Sequence, residues 1–200
     1  MKGAKVTPQI RPPEVQNFID VTLALMAGLV STPEAGAALE GIREGAKQVG
    51  PQTPRRAGRQ PACQHLGDAL IRAAATDPRL APLCAAFSVA EPLLEWTGEE
   101  ESGLAPGSYA EITLLGPGGH EERRDIWLGL SLLAPHVRYP DHNHAPEEVY
   151  LALSDGDFWR ETSGWFTPGT GGTFYNQPSV RHAMRSGETP LLAIWALRRV

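Results

Sequence analysis

The residues able to do chemistry crowd into one short stretch, Tyr139-Pro-Asp-His-Asn-His-Ala-Pro-Glu-Glu-Val-Tyr150, and a later segment, Gln177-Pro-Ser-Val-Arg-His182, adds another histidine. Every candidate ligand in the first stretch is even-numbered. On extended backbone alternate side chains share a face, so His142 points with His144, and Glu148 points with Tyr150 after the break at Ala145-Pro146. A closed barrel can aim both pairs inward, and His182 from a later strand then completes a mixed imidazole and carboxylate shell. Such a shell suits one divalent transition metal ion (Zn, Fe, Mn, Ni or Co) without choosing among them. Glu147, of odd parity, falls on the opposite face and reads as a solvated charge. His65, His120 and His136 have no partners at ligand spacing and are assigned no function.

Two phenols accompany the candidate ligands. Tyr150 follows Glu148 on the same face. It either fills the barrel or, beside a divalent ion, ionises below its usual pKa of about 10 to serve as a base or a further ligand. Tyr139 precedes the first histidine and reads as a strand-end aromatic or as a second phenol at the same mouth.

The elements that must hold these residues divide the chain at about residue 98. From Pro13 to Glu95 apolar residues recur at helical spacing, as in Val15, Phe18, Ile19, Thr22, Leu23 and Met26, with breaks at Ser31-Thr32-Pro33, at 50–61 and at Asp77-Pro78. Three or four helices are expected over 1–97, packing on the C-terminal half of the chain. Over 98–200 the pattern changes to runs rich in β-branched and aromatic residues between Gly, Pro and Asp: 109–115, 126–133, 148–153, 156–160 and 191–197. That spacing predicts a small antiparallel β-barrel or jelly roll carrying the metal site, preceded by the helical region.

Bulk properties exclude several classes of function. An apolar share of 42% with 20% charged residues is that of a packed globular chain, and a formal net charge of -5 offers no basic field for a nucleic-acid backbone. The longest apolar stretch, 21–30, is shorter than the ~20 residues a membrane span requires. Lys2 and Lys5 have no apolar run behind them that would make a secretory signal, so the cytoplasm is the expected location. Cys63 and Cys84 are too few for a disulfide framework and are expected to be reduced and buried. Barrel edges leave a homodimer open, with cover by the helices as the alternative.

Two histidines one residue apart, a glutamate four residues on and a distant histidine resemble the two signature motifs of the cupin superfamily. The departures are His136 where a glycine is usual, Gly156 one residue late, and Gln177 and Ser179 in place of proline and glycine. The length, the helical front half, His-Asn-His-Ala-Pro-Glu-Glu-Val-Tyr150, Tyr139 and Arg181-His182 together resemble the Q-type dimethylsulfoniopropionate (DMSP) lyases. The resemblance implies cleavage of a small zwitterion, DMSP, to dimethyl sulfide and acrylate, with His144, Glu148, Tyr150 and His182 around the metal. His142 is then either a further ligand or gives up its place to Tyr150. The ion would bind the substrate carboxylate as a Lewis acid while Tyr150, as phenolate, removes the α-proton. The sulfonium would rest on aromatic faces drawn from Tyr139, Trp127, Trp159, Trp165, Tyr175 and Trp195. The rival readings are a cupin Fe(II) dioxygenase, in which Tyr150 is a spectator, and a non-catalytic module that captures a small ligand at its metal.

Overall fold

Proline in the first turn and apolar side chains three and four apart explain the first helix, α1 (Pro13–Leu29), which buries Val15, Phe18, Ile19, Leu23 and Met26. Thr32 accepts a hydrogen bond from the Ala35 N–H at 3.3 Å and so starts α2 (Pro33–Ala46). Two further helices, α3 (Leu66–Thr76) and α4 (Ala81–Ala90), are separated by Asp77, whose carboxylate accepts from the Arg79 N–H at 3.0 Å. The computed structural model describes residues 10–54, 56–100 and 102–199. Lys2 and Lys5, on which the expectation about a secretory signal rests, lie outside the described residues. No helix among those described is long and apolar enough to cross a membrane.

The second half is a pair of facing sheets. Its strands are β1 (Tyr109–Gly116), β2 (Glu121–Glu122), β3 (Ile126–Leu133), β4 (Arg138–His142), β5 (Glu147–Ala152), β6 (Asp157–Arg160), β7 (Gly164–Phe166), β8 (Thr173–Asn176), β9 (His182–Arg185) and β10 (Leu191–Arg198). One sheet runs β2-β1-β3-β10-β5-β8 and the other β4-β9-β6-β7. This is the cupin-type jelly roll expected from the motif, fronted by helices. The long strands fall where the alternation places them; β2, β4, β7, β8 and β9 are short strands that the pattern does not announce.

The larger sheet is buried on both faces, and strand parity decides which face each residue joins. Ile112, Leu128, Leu130, Val149, Leu151, Ile194 and Ala196 belong to an apolar cluster shared with Phe18, Leu39 and Phe87 of the helices. Their neighbours Tyr109, Leu133, Tyr150, Ala152, Ala193 and Trp195 point the other way, into a second cluster inside the barrel with Phe158 and Met184 of the smaller sheet. Cys63 and Cys84 lie in the first cluster as free, buried thiols.

A charged weld ties the helices to the barrel. Glu121 receives Arg11 Nε at 2.6 Å, Arg123 at 3.1 Å and the Gly50 N–H at 2.8 Å. Arg11 also donates to Ala46 O and Arg123 to Gly45 O, so both guanidinium groups hold carbonyls at the C-terminal end of α2.

Candidate metal centre

The three histidines converge from two neighbouring strands and the loop between β4 and β5. His142 ends β4 opposite His182 at the start of β9, with ring centroids 4.1 Å apart, and His144 follows in the loop, 5.0 Å from His182. That loop is fixed by the segment before β9, where the Ser179 N–H donates to His144 O at 2.9 Å. Ser179 has φ 63°, and His136, ahead of β4, has φ 61°. These are the positions where the motif ordinarily has glycine, so the left-handed turns are kept although other residues make them. Gly156 meets the same demand by space: a Cβ there would lie 2.8 Å from Leu191.

Each imidazole is oriented by a backbone carbonyl. Nδ1 of His142 lies 3.0 Å from Pro140 O, Nδ1 of His144 3.0 Å from Pro146 O, and Nδ1 of His182 2.9 Å from Val180 O. A carbonyl only accepts, so Nδ1 carries the proton and Nε2 presents a lone pair in the neutral ring. Nε2 of His144 and Nε2 of His182 lie 3.4 and 3.2 Å from one oxygen, Oε2 of Glu148. Both nitrogens are buried and have no hydrogen-bond partner. Two imidazole lone pairs without donors, both facing a carboxylate oxygen, are a costly arrangement in a protein interior unless a cation lies among them.

Among the described residues, His144, Glu148 and His182 form a cluster whose ligand atoms all lie within 4.8 Å of one another. The donor set fits a divalent transition ion. His142 lies outside that cluster, although its ring packs on His182. The Glu148 oxygen is further fixed by Asn176 Nδ2 at 2.9 Å, from β8. Burial pushes the Glu148 carboxyl up, but His144, His182 and Asn176 more than offset it and leave it below the ordinary carboxylate range. Burial lowers His144 as well, and the Glu148 carboxylate reverses this, leaving it above the ordinary imidazole value. His142, desolvated and next to His182, is lowered.

Tyr150 stands beside Glu148 on the inward face of β5, stacked on Phe174 at 5.0 Å. Burial first, and then the Glu148 charge, raise its phenol well above the usual value. Ionisation therefore demands a strong positive charge nearby. Tyr139 packs against Tyr109 at 4.7 Å and against His142 at 5.1 Å, and burial followed by the charge of Glu111 raises it too.

A cavity of about 290 Å³ opens over these groups. His142, His144, Glu148, Tyr150, Tyr139, Trp127 and Trp195 line it. Trp127 Nε1 is buried without a hydrogen-bond partner. The other three aromatics lie elsewhere. Trp159 faces away from Phe158 and pairs with Trp165, over whose ring Arg185 and Arg138 lie at 4.2 and 5.7 Å. Tyr175 faces the helices and donates to Glu147 Oε2 at 2.7 Å.

Glu147 corrects the expectation of a solvated charge. It is on the opposite face, as parity requires, but only 5% exposed, because α2 covers that face and Arg198 pairs with it at 2.6 Å. The cavity also recruits Tyr109, Glu111 and Met184, and β8 supplies Asn176, none of which belongs to the motif. The alternation Tyr109-x-Glu111-x-Thr113 on β1 is the one signal that could have found the first two.

A family model described as dimethylsulfoniopropionate lyase matches residues 37–193. A Cereibacter sphaeroides protein assigned as the dimethylsulfoniopropionate lyase DddL is 31% identical over 90 residues, which are 44% of this chain. That match spans only 38% of the relative's length. The crystal structure of the DMSP lyase DddQ from Ruegeria pomeroyi superimposes with a TM-score of 0.65 at 23% identity, covering 94% of this chain and 92% of that one. A chain from the crystal structures of the DMSP lyases RdDddP and RnDddQII gives a TM-score of 0.65 at 22% identity, covering 92% of each. At these identities the two structures show a shared fold, helices included.

Proposed function

The chain belongs to the dimethylsulfoniopropionate lyase family, and from that membership we propose that it splits DMSP into dimethyl sulfide and acrylate by β-elimination in the cavity over His144, Glu148 and His182. The observation that carries the proposal is the pair of buried, partnerless imidazole nitrogens aimed at one Glu148 oxygen, with the Tyr150 phenol alongside. His144, Glu148 and His182 are the protein's ligands; Tyr150 or His142 adds the next donor.

A divalent transition ion held there would supply a Lewis acid for the substrate carboxylate and the positive charge that lets the Tyr150 phenol ionise. The Trp127 Nε1–H, otherwise unsatisfied, is a donor available to a carboxylate oxygen at the same end. Tyr150 Oη takes the proton from the carbon next to the carboxylate. The C–H electrons become the carbon–carbon double bond, the Cβ–S bond breaks, and the sulfur leaves with that pair as neutral dimethyl sulfide. Nothing is oxidised or reduced, and the proton ends on Tyr150. Phe158 and Phe174, in contact with each other, pack together on one flank of the phenol and keep water from that side. Tyr139 is the second phenol at the mouth, and Tyr139, Trp127 and Trp195 are the aromatic faces within reach of the sulfonium.

Headspace gas chromatography under anaerobic conditions, with metal-loaded protein and DMSP, tests the reading. Wild type should release dimethyl sulfide, and Tyr150→Phe should lower kcat by roughly 10²- to 10⁴-fold, the usual contribution of a positioned base. No gas from a metal-replete wild type sinks the proposal and sends the search to oxygen uptake.

A further inference from the structure

Glu111 has no role in the elimination as described, yet it lines the same cavity. The register of the large sheet locates it. Across the inward face Glu111 lies opposite Ser131, Ser131 opposite Ala193, and Ala193 opposite Ala152 on β5, the strand of Glu148 and Tyr150. Within this sheet β3 and β10 therefore stand between Glu111 and Glu148, and the two carboxylates reach the cavity from different parts of the curved sheet.

The indole of Trp195 forms the floor between them. It lies over Gly129, where any Cβ would overlap its Cζ2 and Cη2 atoms. A directional chain then leads from this floor to Glu111. Trp195 Nε1 donates to Ser131 Oγ at 3.1 Å, Ser131 Oγ lies 3.1 Å from Tyr109 Oη, and the Tyr109 hydroxyl donates to Glu111 Oε2 at 2.6 Å. Because Tyr109 spends its proton on Glu111, the Ser131 hydroxyl must donate to Tyr109. Every donor runs one way and the chain ends on an acceptor, as suits an ionised carboxylate. Thr97 pairs with the Glu111 backbone in both directions at 2.8 Å, and Gly98 packs against its Cγ, so the side chain is held from behind.

The geometry points to Glu111 as the counter-charge for the substrate's sulfonium, a specificity-determining residue that sorts ligands by the charge at the end remote from the metal. This rests on the DMSP reading and deepens it: the cavity takes the substrate carboxylate at the histidines and its cationic end between the Trp195 face and Glu111. A cation over an aromatic face with a carboxylate beside it is favoured over a neutral group of the same shape.

The test compares two probes that share the carboxylate and chain length of DMSP. The trimethylammonium betaine of β-alanine is cationic at the far end, and 4-methylpentanoate is neutral there. Isothermal titration calorimetry on metal-loaded wild type and Glu111→Gln should show the betaine weakened about tenfold by the substitution. The 4-methylpentanoate affinity should stay within about twofold, which also reports an intact cavity. Betaine preference that survives in Glu111→Gln overturns the assignment, and if wild type still releases dimethyl sulfide the parent reading stands without it. A wild type that releases no gas and binds neither probe removes both. Should Glu111→Gln lose both probes, Glu111→Asp, which keeps the charge, decides: retained preference for the betaine supports the assignment and its loss overturns it.

Discussion

Asn176 offers the sharpest test of how the centre is held, because it touches a ligand and not the cavity chemistry. Its Nδ2–H donates to Glu148 Oε2 at 2.9 Å, it is fully buried on β8, and its Oδ1 has no hydrogen-bond partner. The amide is thus kept for its donor end. A hydrogen bond to a charged acceptor contributes about 1.5–3 kcal/mol. In Asn176→Ala that orientation is lost, and Glu148 must be fixed when the ion binds. At about 1.4 kcal/mol per tenfold, the same energy predicts a loss of metal affinity of about 10- to 100-fold, the range typical of groups that orient a ligand. Competition of Zn²⁺ between the protein and a chromophoric chelator at pH 7.5 measures it. Circular dichroism of the same samples verifies that the sheet is intact. A change of less than about twofold in a folded variant would refute the claim that Asn176 aims Glu148 at the metal.

Three predictions concern the frame. Glu121 is 1% exposed and pairs with Arg11 and Arg123; Arg123 keeps Asp125 at 2.7 Å when Glu121 is removed, so Glu121→Ala leaves the buried Arg11 without a carboxylate partner and should cost roughly 3–5 kcal/mol in urea unfolding. Burial alone would raise the Glu121 carboxyl, but Arg11, the Gly50 N–H and Arg123 hold it below the usual carboxylate range. Its contribution is therefore present above the unfolded value of about 4.3 and lost as pH falls through the lower folded one, and a Glu121→Gln variant should show a shallower acid limb; an unchanged limb counts against the weld. Gly129→Ala would drive a methyl group into Ile112 O on one side and the Trp195 indole on the other. Overpacking of this kind costs about 1–3 kcal/mol, equivalent to a fall in Tm of about 2–12 °C for a chain of this size, and an unshifted Tm would mean that the floor gives way freely.

The candidate metal cluster was legible on β5 because its residues there fix their own phase. On β5 the even positions Glu148 and Tyr150 carry the chemistry, so inward and outward faces follow from the sequence alone. Nothing anchored the phase on β6, β7 or β8, where aromatic residues occupy both faces: Phe158 and Phe174 point inward while Trp159 and Tyr175 do not. Three of the six aromatics nominated for the sulfonium fall outside the cavity for that reason. The short strands escaped notice because two to five residues do not make an alternation, and β4 contains Pro140. Glu147 shows the other gap: parity gives the face of a residue but not what covers that face, and here it is α2.

That cover backs the strand that carries Glu148 and Tyr150. β5 carries ligands on one side and, on the other, Val149 and Leu151 in the core shared with the helices. Glu147 adds a polar anchor there, since it binds Arg198 of β10 and Tyr175 of β8, and Arg198 in turn donates to Ala37 O of α2. The strands on both sides of Glu148 are thereby tied to one another and to α2 through the residue next to it. An open sheet with one wet face would let β5 shift by the few tenths of an ångström that separate a bound from a misplaced ligand. The helical layer, none of whose described residues lines the cavity, thus backs the strand that brings Glu148 to His144 and His182, and changes to the odd-numbered side of β5 should appear in metal affinity as well as in stability.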